Sequence, residues 1–372
     1  MFLRILFIAL LTTHGLIHLI GFIKEFQLAT VSQLSGKTLF PITESLAKPI
    51  GLLWLAVCLG LLTTAILFFL QNDGWWIPGI ISLLLSQALI IIYWQDAKFG
   101  TVANAILLLV LIPANGQWRL NQKVASERQA MLQDMKALPN EILTETRIAP
   151  LPEVIRRWLL RSKVVGKPMV KTMYLKQRGQ MKTAPTGSWM PFEAEQTNTI
   201  PQPAFIWQTT MNPFPVVNIT GRDRYYQGRG NMLIEVLSVL PIVNSDGKTI
   251  DQGSMLRFLG EMVWFPGGAI SPYLSWKEID ARTARATMTF GNVQADGIFR
   301  FDEHGDVVSF EANRYYDRKE GATLEKWFIR TKDYREFEGI RIPAQGEVTW
   351  KLKDGDYTWL TFELLTVRYN SY

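Results

Sequence analysis

Three stretches of about twenty residues each, Ile5–Ile23, Pro49–Leu70 and Trp75–Trp94, contain no Lys, Arg, Asp or Glu. A helix of roughly 20 apolar residues crosses the ~30 Å hydrocarbon core of a bilayer. Such runs exclude an ordinary water-soluble fold for this part of the chain. A fourth stretch, Phe99–Ile112, is shorter, and it reaches spanning length if Asp96 and Lys98 sit at the interface. The expectation is a four-helix transmembrane bundle over residues 1–115 in a plasma or inner membrane. Trp75, Trp76, Tyr93 and Trp94 bracket the third stretch as interfacial aromatics do. Gly51, Gly60, Gly79, Ser82 and Ser86 supply the small residues that let membrane helices approach closely. Arg4 precedes the first stretch as in a signal peptide, but the apolar run continues to Ile23 without a small-residue cleavage pattern, so it is expected to be retained. An even helix count puts the N-terminus and the rest of the chain on one side. Lys and Arg are shared almost evenly between the two sides, so charge does not orient the bundle.

His14 and His18, two of the three histidines in the chain, lie four residues apart and hence on one helix face. Three readings fit an intramembrane pair: a hydrogen-bonded seam between helices, ligation of a metal or haem, and proton or quinone chemistry. Ligation needs further donors, which would be Glu44, Asp96 or a histidine of another copy. Asp96 also reads as an interfacial anchor, and with the two histidines it makes up the candidate polar site of the membrane block.

Past Asn115-Gly116 the composition turns polar. Residues 116–166 read as a helical linker with helices at Leu120–Leu138 and Glu153–Arg161. In the second, Val154, Ile155, Trp158 and Leu159 share a face, while Arg156, Arg157 and Arg161 lie elsewhere. Such a helix lies either on a membrane surface or on the following domain.

From residue 167 to 372 the hydrophobic period becomes two. Some twelve β-rich runs, separated by Pro and Gly turn signals and by hairpin turns such as Asp354-Gly355, follow one another without crossover helices. This predicts an α+β domain built on a strongly curved antiparallel sheet or half-barrel. One amphipathic segment, about 253–265, carries Met255, Leu256, Leu259, Met262 and Val263 at helical spacing and ends at Pro266-Gly267-Gly268. It is expected to cover the concave face as a lid.

Composition narrows the function classes. The surplus of positive charge is six, with no basic run of five or more, which argues against a nucleic-acid partner and is compatible with a nearby bilayer. Cys58 is the only cysteine and lies in an apolar run, so there is no disulfide framework or cysteine-based zinc site. There is no nucleophile elbow or phosphate-binding glycine loop. His304 sits in a turn, which leaves no histidine for a triad.

The segments His14-Gly15-Leu16-Ile17-His18-Leu19-Ile20-Gly21-Phe22, Asp96-Ala97-Lys98-Phe99-Gly100-Thr101, Trp189-Met190-Pro191-Phe192 and Glu261-Met262-Val263-Trp264-Phe265-Pro266 carry a resemblance. So do Val164-Val165-Gly166-Lys167-Pro168, Arg222-Asp223 and Tyr334-Arg335-Glu336. Through them the chain resembles, over nearly its whole length, a bacterial membrane protein family in which a four-helix block precedes a domain of unknown function. In strand pattern the second part also looks like lipoprotein-localisation carriers of the LolA/LolB type. That likeness implies a curved sheet with a helical lid around an apolar cavity, and an extracytoplasmic location. Four membrane helices in place of a cleaved signal or a lipidated N-terminus are a departure, and they put free shuttling of cargo in doubt.

Charged groups among aromatics mark the candidate pocket: Arg222, Asp223, Arg257, Glu261, Trp264, Arg314, Tyr315, Tyr334 and Arg335. They either line an apolar pocket with a few convergent charges or fasten strand ends and helix by salt bridges. The expected function is a membrane-anchored β domain that binds a lipid or other apolar molecule near the bilayer. The alternatives are a metal- or haem-dependent redox protein built on His14 and His18, and a module that binds another envelope protein. A carboxylate-pair enzyme using Glu261 stays open.

Overall fold

The structure, a computed structural model, describes residues 2–31, 35–135, 137–214, 217–316 and 321–371. The chain forms two compact units, Met1–Asn121 and Gln122–Tyr372.

In the first unit the apolar stretches are helices: α1 (Phe2–Glu25), α2 (Glu44–Phe69), α3 (Trp76–Ile92), the single turn α4 (Trp94–Ala97) and α5 (Gly100–Gln133). α1, α2 and α5 are long and apolar enough to cross a membrane, and α3 is a shorter apolar helix of 17 residues. The expected break at Asn115-Gly116 does not occur. α5 runs through it and through Pro113 for 34 residues, absorbing most of the predicted helix at 120–138. A local turn signal loses to the intrahelical hydrogen bonds on either side, and Pro removes only one of them. Of that predicted helix, Lys136 lies outside the described residues. α1 and α2 pack through glycine: a Cβ on Gly21 would come within 2.4 Å of the Trp54 ring. Leu11, Val57, Leu61, Leu107 and Leu111 are fully buried between the helices of this unit.

In the second unit α6 (Glu145–Ile148) and α7 (Glu153–Arg161) precede the sheet. α7 buries Val154, Ile155, Trp158 and Leu159 in the core of this unit. Its arginines are tied locally, Arg156 to Glu153 and Arg157 to the Ala281 carbonyl. At roughly 1.5–3 kcal/mol per buried side chain, the apolar face outweighs anything its charges gain, so the helix packs on its own domain.

The strands are β1 (Thr172–Met181), β2 (Met190–Thr199), β3 (Ala204–Phe214), β4 (Val217–Tyr226), β5 (Arg229–Val236) and β6 (Leu240–Ser245), followed after a helix by β7 (Leu274–Asp280), β8 (Thr283–Phe290) and β9 (Val293–Phe301). β10 (Val307–Tyr316), β11 (Thr323–Phe337), β12 (Ile340–Leu352) and β13 (Gly355–Tyr369) complete the sheet. All thirteen form one antiparallel half-barrel sheet in the order β6-β5-β4-β3-β2-β1-β13-β12-β11-β10-β9-β8-β7. Every neighbour is thus a chain neighbour except β1 with β13, and the two edge strands, β6 and β7, are consecutive in sequence. Sequence reading passed over β6 because Pro241 interrupts it. A proline is tolerated there because β6 is an edge, where one face of the ladder needs no N–H.

The segment between the edges is α8 (Lys248–Gly260), followed by tight helical turns at Glu261–Trp264 and Pro266–Ile270. α8 begins five residues before the predicted 253, and the last predicted turn is a 3₁₀ helix. Met255, Leu256, Phe258 and Leu259 are all fully buried, and α8 packs on β4, β5, β9 and β10. A helix buried over most of its length is a core element. It covers the concave face by lying in the trough of the sheet.

Candidate functional site

α8 carries its charges into the trough. Arg257 Nε donates to Glu261 Oε1 one turn further on at 2.8 Å, Nη1 donates to Asp223 Oδ2 of β4 at 2.6 Å, and Nη2 donates to Gln196 Oε1 of β2 at 2.9 Å. Gln196 in turn donates to Glu261 Oε2 at 2.6 Å. The guanidinium lies 4.7 Å from the Phe205 ring centroid and 5.0 Å from that of Trp207. Burial by itself lowers the Arg257 pKa, but Glu261 and Asp223 outweigh it and hold the group above its ordinary value. This is a closed ion network in which each nitrogen of the arginine has an acceptor.

Beside it the side chains leave a cavity of about 190 Å³. Its wall includes Trp207, Met211, Leu233, Val263, Trp264, Trp327, Ile329, Val348 and Trp359, together with Arg222, Asp223, Arg257, Glu261 and Arg314. The walls come from strands at opposite ends of the sheet order, which the curvature of the sheet brings together. For scale, an apolar cavity of about 150 Å³ accepts benzene, so this one takes a six- to eight-carbon fragment.

Six of the nine pocket candidates therefore line one cavity: Arg222, Asp223, Arg257, Glu261, Trp264 and Arg314. Arg222 is fully buried and held by Glu127 at 3.3 Å and by the Asn231 carbonyl at 3.3 Å. Its pKa is lowered by burial, against the pull of Glu127. The other three lie elsewhere. Tyr315 alternates with inward-facing Arg314 along β10 and is exposed. Tyr334 donates to the Val307 carbonyl at 2.7 Å and stacks under Arg341. Arg335 is exposed and pairs with Asp333 and Glu363. Asp333 has φ 57°, a left-handed backbone conformation just before Tyr334, and the β11–β12 register runs on unchanged past it. Sequence reasoning also missed Gln196, Trp207, Trp327 and Trp359; an indole at an inward strand position was the available signal.

A larger depression of about 750 Å³ is lined by Arg178, Glu193, Thr210, Lys332 and Glu363, among others. Arg178 and Thr210 follow Gln177 and Thr209, which line the cavity, so the depression is on the outer face of the sheet. Its charges pair with one another across open surface, as in Arg178–Glu363 at 2.8 Å. It lacks the enclosed apolar wall of a small-molecule site.

In the first unit His14 Nε2 and Asn104 Oδ1 are 2.9 Å apart, His18 Nε2 and Ser86 Oγ 2.9 Å, and His18 Nδ1 and the His14 carbonyl 2.7 Å. Asn104 also donates to Ser86 and Gln87. The pair is thus built into a hydrogen-bonded seam linking α1, α3 and α5. Among the described residues no three His, Cys, Asp or Glu side chains gather as a metal site requires. Asp96 accepts the backbone N–H groups of Ser35 and Gly36 at 2.9 and 3.2 Å, so it tethers the loop after α1 and does not join the histidines.

Fold and cavity together define a half-barrel domain with a buried helix, following a helical N-terminal region. Residues 141–362, more than half of the chain, match a family of unknown function, DUF6544, and the chain belongs to that family. No curated protein matches it. Three solved structures are similar. The first is described as an outer membrane lipoprotein-sorting protein domain from Vibrio parahaemolyticus: 8% identity, 59% of this chain and 92% of that one, TM-score 0.32. The second is a DUF1329 family protein from Desulfovibrio piger: 9% identity, 62% and 95%, TM-score 0.35. The third is a LolA superfamily protein from Nitrosomonas europaea: 9% identity, 54% and 87%, TM-score 0.33. At this level of similarity none of the three bears on what this chain binds.

Proposed function

We propose that this chain is an integral protein of the bacterial cell membrane whose β domain, residues 167–372, binds a small apolar or amphiphilic molecule, or the end of a lipid chain, in its internal cavity. The observation that carries this reading is the composition of that 190 Å³ space. Four tryptophans and an aliphatic floor surround a few fixed charges, the make-up of a small-molecule site. The volume is below the usual range of about 300–1,000 Å³ for drug-sized ligands. The occupant is therefore a short chain or chain end, and a whole phospholipid does not fit. On this reading the protein is a binding protein and not an enzyme.

The membrane part of the proposal is a four-helix anchor over residues 1–115 with a helical linker at 116–166. Three helices have spanning length. α3, at 17 residues, is about 26 Å long, close to the hydrocarbon thickness. Four spans put the N-terminus and the β domain on one side, which we take to be extracytoplasmic. A reporter fused after the last residue tests the side, and a cytoplasmic signal would overturn it. Native mass spectrometry and lipid extraction of the full chain test the ligand. Recovery of a short-chain apolar compound is expected, and failure to bind any such compound, recovered or added, would sink the reading.

A further inference from the structure

We propose that the ligand is an amphiphile with an acidic head group, and that the guanidinium of Arg314 is what binds the head. This rests on the ligand reading above and deepens it.

The arginines of the cavity wall differ in what holds them. Each nitrogen of Arg257 has an acceptor in Glu261, Asp223 or Gln196, and Arg222 is paired with Glu127. Arg314, on the inner face of β10, has no carboxylate within salt-bridge distance and no hydrogen-bond acceptor among the described residues. It is stacked on Trp327, 4.6 Å from the ring centroid, and lies 6.0 Å from Trp350. Room for it against α8 exists because residue 253 is glycine: a Cβ there would lie 3.1 Å from Arg314 Nε. The residue is partly buried, so its charge is neither sealed in nor freely solvated.

Asp223 and Glu261 are near enough to be felt by Arg314 but are turned to Arg257. They balance charge at a distance and supply no hydrogen bond. The wall as a whole is rich in donors. The indole N–H groups of Trp207, Trp264, Trp327 and Trp359 are buried without an acceptor among the described residues, as is Arg222 Nε; among the buried wall atoms of the described residues the one acceptor without a donor is Gln177 Oε1. A buried donor left unmade is costly, so the complement of this wall is a group with several acceptor oxygens and no donors. A carboxylate or phosphate is such a group, and it makes the strongest hydrogen bonds with a guanidinium. The apolar remainder of the cavity takes six to eight carbons behind it.

The test uses the full-length protein in lipid nanodiscs at neutral pH and compares octanoate with octanol, which share a chain and differ in charge. Binding is read by calorimetry and by tryptophan fluorescence. Octanoate is expected to bind about ten- to a hundredfold more tightly than octanol, the range of a hydrogen bond to a charged group. Arg314→Gln should abolish that preference while octanol binding persists, and Arg314→Lys should keep part of it. If octanoate and octanol bind equally to the unaltered protein, or if Arg314→Gln keeps the preference, the acidic-head inference is overturned while the apolar-ligand reading stands. If neither compound binds, the apolar-ligand reading itself fails.

Discussion

Arg314→Met is expected to stabilise the β unit while removing its preference for an acidic ligand. Burial lowers the Arg314 pKa from its ordinary value to about 10, against the weaker pull of Asp223. At about 1.4 kcal/mol per pKa unit, the charge costs the folded state up to about 3.5 kcal/mol. Loss of stacking on Trp327 takes back roughly 0.5–2 kcal/mol, and methionine keeps most of the apolar contact of the arginine stem. The net is a gain of up to about 1.5–3 kcal/mol, and each kcal/mol raises Tm of a unit of this size by about 2–4 °C. The pH dependence has a definite sign. Below about pH 10 the arginine is protonated whether the chain is folded or unfolded, and the full cost is present. As pH rises above that, the folded chain releases the proton before the unfolded one does, so the cost fades and the gap between variant and parent narrows. Thermal unfolding of the full-length protein, followed by near-ultraviolet circular dichroism, reads both effects. A fall in Tm of a few degrees on Arg314→Met would refute the reasoning, because the guanidinium would then be holding the fold together.

Arg257→Met should do the opposite and cost about 3–5 kcal/mol, since it leaves Asp223 and Glu261 buried without their cation. The triple variant R257M/D223N/E261Q should recover most of that loss, and urea unfolding of the three proteins decides it: a triple variant no better than the single one contradicts the account. In the helical unit, Gly21→Ala brings a Cβ to 2.4 Å from the Trp54 ring and should cost about 1–3 kcal/mol, whereas Gly15→Ala meets nothing closer than 3.2 Å and should be milder. Equal melting temperatures for the two would be evidence against tight packing of α1 on α2. His18→Gln, which breaks the bond to Ser86, should lower stability by about 0.6–2 kcal/mol and leave metal content unchanged. A stoichiometric metal lost with the histidine would instead restore the ligation reading.

Hydropathy made the apolar helices legible, and period-two patterning with turn signals made the antiparallel sheet legible, because both depend on burial that repeats at a fixed spacing. Two features escaped for local reasons. Pro241 disguised β6, whose edge position tolerates it. Asn115-Gly116 looked like a stop, yet the helix bonds carried through it. At the site, the pairing of Arg257 with Glu261 could be read from a four-residue spacing on one helix. Asp223 and Gln196 could be joined to it only once the curvature of the sheet brought β2 and β4 against α8. The difference between Arg257 and Arg314 was invisible in sequence, since both are arginines among aromatics and only the positions of the carboxylates separate them.

The fold accounts for most of the charge in the cavity but not all of it. α8 stops at Gly260, where Phe310 and Ile329 leave no room for a side chain: a Cβ there would lie 2.9 Å from the one and 3.0 Å from the other. Past that point the covering layer thins to the 3₁₀ turn at Glu261–Trp264, and the sheet face it leaves uncovered becomes the cavity wall. The polar end of the helix must then be satisfied inside the domain, and Arg257 with Glu261, Asp223 and Gln196 does so. Arg222 is likewise needed, as it ties β4 to Glu127 of α5. Neither requirement involves Arg314. Space that side chains fail to fill costs about 24 cal/mol per Å³ when dry, or about 4–5 kcal/mol for this cavity, and an unpaired guanidinium adds to that. A domain can carry such local costs where they serve binding. The architecture needs neither the open space beyond α8 nor the lone cation on its wall, and a ligand that fills the one while pairing with the other would offset both.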